Sequence, residues 1–196
     1  MIRKTTRSLA SDRRAATLVE FAIVCPVMLI LMMGLGELAY QGYVQSVLTG
    51  AIQRAGRNST IQAADTTQLD QAVMQQVWKV VRNATYVSTR KSYSNFSSVA
   101  PEPFVDTAGT GVYNQAQDCF TDINGNGTWD TDPGSAGGGG ASDVSVYTMT
   151  ITYRRLFPVA GLIGMPGTAT LTGSTTLKSQ PYATQAAQTA TQICPH

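Results

Sequence analysis

Between Phe21 and Gly36 the chain carries no charge and consists mainly of Ile, Val, Leu and Met, with apolar character reaching outward to Leu18 and Tyr40. A helix of about 20 such residues crosses a bilayer, so this run predicts a membrane span. Beyond it the pattern turns periodic. Tyr43, Val44, Val47, Leu48, Ala51, Ile52 and Ala55 recur at helical spacing against Gln41, Gln45, Gln53, Arg54 and Arg57. That spacing predicts that the same helix leaves the membrane as an amphipathic rod able to cover a sheet. Gly56 and Asn58 mark its expected end. A second helix is expected from Thr67, whose hydroxyl and Asp70 three residues on make a variant capping box. Leu69, Val73, Val77 and Val80 form its apolar stripe.

The last third reads as strand. From Asp143 to Arg155, Val144, Val146, Thr148, Thr150 and Thr152 alternate with Tyr147, Met149, Ile151 and Tyr153. β-Branched and aromatic residues at period two favour a half-buried strand. Thr168 to Lys178 is a second such run, and Tyr86 to Phe96 a third candidate. Between the first two, residues 156–167 are apolar and punctuated by Pro and Gly. They are expected either to form an exposed contact surface at a hairpin tip, or to fold back over the core or rest on the membrane. The fold class is therefore α+β: a long N-terminal transmembrane helix continuing into a domain, expected to be periplasmic on the orientation and resemblance given below, of helices packed on a small antiparallel β-sheet. The expected divisions are a basic leader over 1–15, the helix and its extension over 16–58, and an exported head over 59–196.

Charge sets the orientation. Arg3, Lys4, Arg7, Arg13 and Arg14 precede the span against Asp12 alone, which by the positive-inside tendency keeps the N-terminus cytoplasmic and exports the chain beyond Tyr40. The formal charge of +2 comes from that leader. Without its five cations and Asp12, the 14 basic and 12 acidic residues become 9 and 11, a net −2, and no basic patch remains for nucleic acid. Glu20 stands at the start of the apolar run. A carboxylate near hydrocarbon costs roughly 2.5–3.5 kcal/mol on insertion scales, so such a residue usually has a partner and a function. An ordinary secretory signal or an uncleaved anchor is compatible with the same apolar run.

The leader, then Ala15-Ala16-Thr17-Leu18-Val19-Glu20-Phe21-Ala22-Ile23-Val24-Cys25-Pro26-Val27-Met28-Leu29, and Gly36-Glu37-Leu38-Ala39-Tyr40 further along, resemble the opening of TadE-like proteins, minor pilins or pseudopilins of tight-adherence (Flp-type) pili. The resemblance implies cleavage by a prepilin peptidase between Ala15 and Ala16, making Glu20 the fifth residue of the mature chain. The family often has Gly where this chain has Ala15, which is also small. It further implies that Glu20 neutralises the N-terminal ammonium of a neighbouring subunit, with other pilins or pilus-assembly subunits and the inner membrane as partners. The alternative is a calcium-dependent binding or adhesion module on an uncleaved tether.

A second stretch carries chemistry of its own. In Asp122-Ile123-Asn124-Gly125-Asn126-Gly127-Thr128-Trp129-Asp130-Thr131-Asp132, oxygen side chains occupy positions 1, 3, 5 and 9, and Gly occupies position 6. That is the pattern of EF-hand-type calcium loops, in which position 7 offers its carbonyl. Position 12 is Pro133, so Asp132 is expected to stand in for the missing bidentate acid. Between Lys91 and Arg154 there is no Lys or Arg but seven acids, Glu102, Asp106, Asp118, Asp122, Asp130, Asp132 and Asp143. Oxygen ligands alone favour calcium over zinc or copper. The expected ligands are Asp122, Asn124, Asn126, Thr128, Asp130 and Asp132, within a loop spanning 118–132. The competing expectation is a solvated acidic loop beside the glycine run 137–140. Residues 106–114 echo 122–130 sixteen residues earlier, keeping the first Asp, both glycines and an aromatic at position 8.

Cys25 lies in the span, so Cys119 and Cys194 are the pair available for a disulfide in an oxidising compartment. Free thiols or an intermolecular bond are the alternatives. His196, the sole histidine, is the last residue, and no recognised nucleophile motif accompanies it. No enzymatic activity is expected.

Overall fold

The computed structural model describes residues 14–59, 66–140, 142–162, 164–178 and 190–195. Most of the leader, and His196, lie outside them. Helix α1 runs over Arg14–Ser59, helix α2 over Thr66–Trp78, and a short helix α3 over Val159–Leu162. The strands are β1 (Thr85–Tyr93), β2 (Phe104–Val105), β3 (Cys119–Asp122), β4 (Ser135–Ala136), β5 (Val144–Arg154), β6 (Thr168–Lys178) and β7 (Thr191–Ile193). They form two sheets, ordered β4-β1-β5-β6 and β2-β3-β7. β1 is antiparallel to both β4 and β5, and β3 to both β2 and β7. The α+β architecture with a long apolar N-terminal helix is as the sequence predicts.

The chain divides into two compact units. The first comprises residues 1–43 and 154–169; the second comprises 44–153 and 170–196. In the first, α1 presents Leu18, Phe21, Ile23, Val27, Leu31 and Leu35 outward, all exposed. Its most apolar stretch has a mean hydropathy of 2.5 and, among the described residues, nothing covers it. An uncovered apolar cylinder of this length is long enough to cross a membrane.

In the second unit, the polar and apolar faces of α1 separate as the periodicity requires. Val44, Leu48, Ala51, Ile52 and Ala55 are buried, while Gln53, Arg54 and Arg57 are exposed. Gly173 on β6 permits close approach, since a Cβ there would lie 2.7 Å from the Ile52 Cδ1 atom. Gln45 Nε2 donates to the Thr172 carbonyl at 3.0 Å. The sheet contributes Tyr147, Met149, Ile151 and Tyr153, and α2 contributes Val73, Met74 and Val77. Full burial of each large aliphatic side chain is worth about 1.5–3 kcal/mol, so this three-sided packing holds the head together.

Asp70 departs from its expected capping use. Its carboxylate turns to the sheet and accepts from Arg90 Nη2 (2.5 Å), Tyr147 Oη (2.6 Å) and Ser88 Oγ (2.6 Å). The Arg90 guanidinium also lies 4.4 Å above the Tyr147 ring. Met74 takes a core position that the expected stripe lacked, and Val80 falls beyond the helix end.

Candidate functional site

Two regions carry the candidate residues. On α1, Ala15 and Ala16 lie in the first helical turns and Glu20 follows one turn later, exposed among the equally exposed Leu18, Val19 and Phe21. A carboxylate displayed on an apolar cylinder is costly in hydrocarbon unless it is partnered. Glu37 is used differently. It is buried, with 6% of its surface exposed. Its Oε2 accepts the backbone N–H groups of Leu156 and Phe157, each at 3.1 Å, and its Oε1 lies 3.5 Å from Arg155 Nη1.

The acidic loop is built as a duplicated unit. Residues 102–114 and 118–130 superpose in their bonding with an offset of sixteen. Asp106 accepts from the N–H groups of Thr110 (3.0 Å) and Gly111 (2.6 Å), as Asp122 does from Asn126 (3.3 Å) and Gly127 (2.8 Å). Gly109 and Gly125 have φ of 68° and 76°, and Gly111 and Gly127 have 72° and 78°. This left-handed backbone favours glycine, which explains why both copies keep both glycines.

The clamps are exchanged between the copies. Asp118, from the second copy, accepts the N–H groups of Thr107 and Asn114 in the first, both at 2.9 Å. Glu102, from the first, accepts those of Ile123 (2.7 Å) and Asp130 (3.0 Å) in the second. The backbone repeats this exchange: Asp118 N donates to Asn114 O and Glu102 N to Asp130 O, both at 2.9 Å. Phe104 pairs with Phe120 across β2 and β3, and Tyr113 stacks on Trp129 with centroids 4.7 Å apart and planes 19° apart. The segment is thus a local pseudo-two-fold, with the paired phenylalanines and the stacked rings joining its halves.

These contacts answer the charge problem by a route the sequence reading missed. Glu102, Asp118 and Asp122 are buried carboxylates, each receiving two or more backbone N–H groups. Such bonds supply each buried oxygen with the donors it would otherwise lose on leaving water. Asp106 is held below the usual carboxylate range by the N–H groups of Gly111 and Thr110.

The expected calcium ligands are only partly gathered. Asn124 Nδ2 and Asn126 Nδ2 donate to Asp130 Oδ2 at 2.9 and 2.6 Å, and the Thr128 hydroxyl donates to Asn126 Oδ1 at 2.8 Å. Asp122, Asn124, Asn126, Thr128 and Asp130 therefore share one loop. Asp132 does not join them, being bonded to Lys91 Nζ and, at 2.8 Å, to Tyr93 Oη. The Lys91 bond holds the Asp132 carboxyl below its ordinary range, although burial opposes this. Among the described residues, no three His, Cys, Asp or Glu side chains converge as a metal centre would require.

Cys119 and Cys194 are joined by a disulfide with Cα atoms 4.1 Å apart. It ties β3 to the end of β7 and closes one side of a cavity of about 250 Å³, lined in part by Tyr113, Phe120, Trp129 and Ile193.

An apolar helix of membrane-spanning length that continues into an α+β head is consistent with a single-pass membrane protein. Residues 15–57, which cover that helix, match the family model for TadE-like protein. The match bears out the resemblance seen in the sequence over that segment. It ends at residue 57, before the head's second helix and its sheets. No curated protein and no solved structure matches the chain.

Proposed function

We propose that the protein is a minor pilin or pseudopilin of tight-adherence pilus biogenesis, anchored in the inner membrane with its head in the periplasm or on an extracellular pilus. Its helix packs among pilin helices, and Glu20 meets the N-terminal ammonium exposed on a neighbour by prepilin-peptidase cleavage between Ala15 and Ala16. The observation that carries this reading is Glu20 itself: an exposed carboxylate on an uncovered apolar helix, inside the matched segment. In a low-dielectric setting such a pair is favourable only when both partners are present and well placed, so the contact sets the register between helices. Glu20→Ala should insert into the membrane normally and fail to assemble. Normal pili from that variant would refute the pairing.

The second part of the proposal is that calcium stiffens the 118–132 loop. Supporting it are the successive turns in which Asp122 Oδ1 accepts Gly125 N (2.6 Å), Asn124 Oδ1 accepts Asn126 N (3.1 Å) and Asn126 Oδ1 accepts Thr128 N (2.7 Å). These turns bend the chain around positions 1, 3 and 5, where a calcium loop supplies oxygens. The ion would take Asp122, Asn124, Asn126, the Thr128 carbonyl and Asp130, with Asp132 joining only by leaving Lys91 and Tyr93. The 106–114 copy, with Ala108 at position 3, should not bind. Calorimetry is expected to show calcium heat that Asp122→Ala abolishes. Absence of heat, with melting unchanged by chelator, would refute it.

A further inference from the structure

We propose that the β5–β6 connection, residues 155–167, is a second membrane contact: an apolar knob seated in the outer headgroup boundary beside the point where α1 leaves the bilayer. The proposal rests on reading α1 as a membrane span. The knob belongs to the same compact unit as that part of α1, and three sets of contacts fix it there. The Phe157 ring lies against the helix, its Cε2 only 3.1 Å from where a Cβ on Gly36 would stand. Glu37 accepts the N–H groups of Leu156 and Phe157. Arg155, beside Glu37, donates from Nε to the Pro166 carbonyl at 3.1 Å and from its backbone N to the Gly167 carbonyl at 3.0 Å, closing the base of the knob.

With its inner side fixed, the knob displays apolar side chains on the other. Leu162 is 69% exposed, and Leu156 and Met165 are exposed as well. On α1, Leu35 and Leu38 flank the attachment at Gly36 and Glu37 and are likewise exposed, so the knob adds to the apolar surface of that part of the helix. The level follows from helix geometry. Glu37 lies nineteen positions after Leu18, and a rise of about 1.5 Å per position carries the chain about 28 Å, close to the thickness of the hydrocarbon core. Glu37 therefore falls at the far boundary, and the side chains fixed around it meet lipid rather than water.

The occupant is the lipid surface, because the patch continues the face that the span itself presents to acyl chains. Apolar groups held at this depth sit about 5–10 Å into the boundary between headgroups and chains. Such a contact would restrict how the outer end of α1 tilts and rotates. Buried Glu37 thus serves as the intramolecular fastening of the knob, a role distinct from that proposed for Glu20.

The test uses the full-length chain in lipid nanodiscs, with Cys25→Ala removing the free thiol and the Cys119–Cys194 disulfide left intact. A polarity-sensitive fluorophore is placed at Leu162→Cys and, separately, at Met28→Cys, within the span. Nitroxide lipids labelled near the headgroup or near the chain end serve as quenchers. The Leu162 probe is expected to emit to the blue of its position in detergent-free buffer, and to be quenched at least about twofold more by the shallow nitroxide than by the deep one, given that depth. Water-like emission without quenching would overturn the proposal. So would a blue shift without lipid quenching, which would place a protein partner on the knob. The Met28 probe separates the two readings: deep quenching there with none at Leu162 removes the knob and leaves the span, whereas none at either position removes both.

Discussion

The exchanged clamps of the duplicated loop make a prediction that a simple loop would not. Glu102→Gln keeps the shape of a side chain that is 1% exposed and replaces one carboxylate oxygen by an N–H₂. One of the two backbone donors it now satisfies, Ile123 N or Asp130 N, would then face another donor. A hydrogen bond to a charged group is worth about 1.5–3 kcal/mol, and the surviving bond weakens as the charge is lost, so the change should cost about 3 kcal/mol. For a head of this size that corresponds to a fall in Tm of roughly 10 °C. The location is more telling than the amount. Hydrogen exchange should accelerate at the amides of Ile123 and Asp130, 21 and 28 residues downstream, before it does at Thr107 and Asn114. Asp118→Asn should show the reverse, releasing Thr107 and Asn114. If each variant loosened the loop that follows it in sequence, the exchanged arrangement would be wrong.

Three further outcomes follow from the head. Replacing Cys119 and Cys194 by Ser opens a closure of 75 residues, expected to cost about 4 kcal/mol in the chain-entropy treatment and readable as a lower denaturation midpoint; an unchanged midpoint would contradict it. Asp70→Ala leaves Arg90 charged and largely buried beneath α2, so a loss of about 3–5 kcal/mol is expected by chemical denaturation, and a neutral result would show that the pair is solvated. Burial and then Asp132 push the Tyr93 phenol up to about 12. A raised folded value means that its contribution is intact below the unfolded value of about 10 and disappears as pH rises towards 12. Tyr93→Phe should flatten that alkaline loss in a pH series of melting curves, and an unaltered slope would count against it.

Much of the fold was legible because periodicity reports burial directly. The switch in α1 from uniformly apolar to one-sided near Tyr43, and the alternation of Tyr147, Met149, Ile151 and Tyr153, are the two patterns that the packing uses. The disulfide was legible from three cysteines and a membrane segment that occupied one of them. Asp70 was misread because a local rule, an acid three residues after a Thr, competed with a long-range one: Arg90 and Tyr147 are 20 and 77 residues away. Glu102 and Asp118 were missed for a related reason. Each clamps the copy it does not belong to, so the sixteen-residue echo was visible while the acids that complete it looked like unattached charge. A search for the echo beyond its first Asp would have found them, since Glu102 and Asp118 keep the same offset. The spacing that makes Asp132 a candidate ligand says nothing of its long-range partners, Lys91 and Tyr93, which β1 brings to it across the fold.

The central claim, that a trimmed helix answers a neighbour's new amino terminus through Glu20, is tested most directly by reading the first residue of the protein taken from assembled pili or from the assembly complex. Mass spectrometry of the N-terminal peptide should find a chain beginning at Ala16, with Glu20 its fifth residue. A chain that still begins at Met1 in that fraction would contradict the claim and leave the helix as a plain tether.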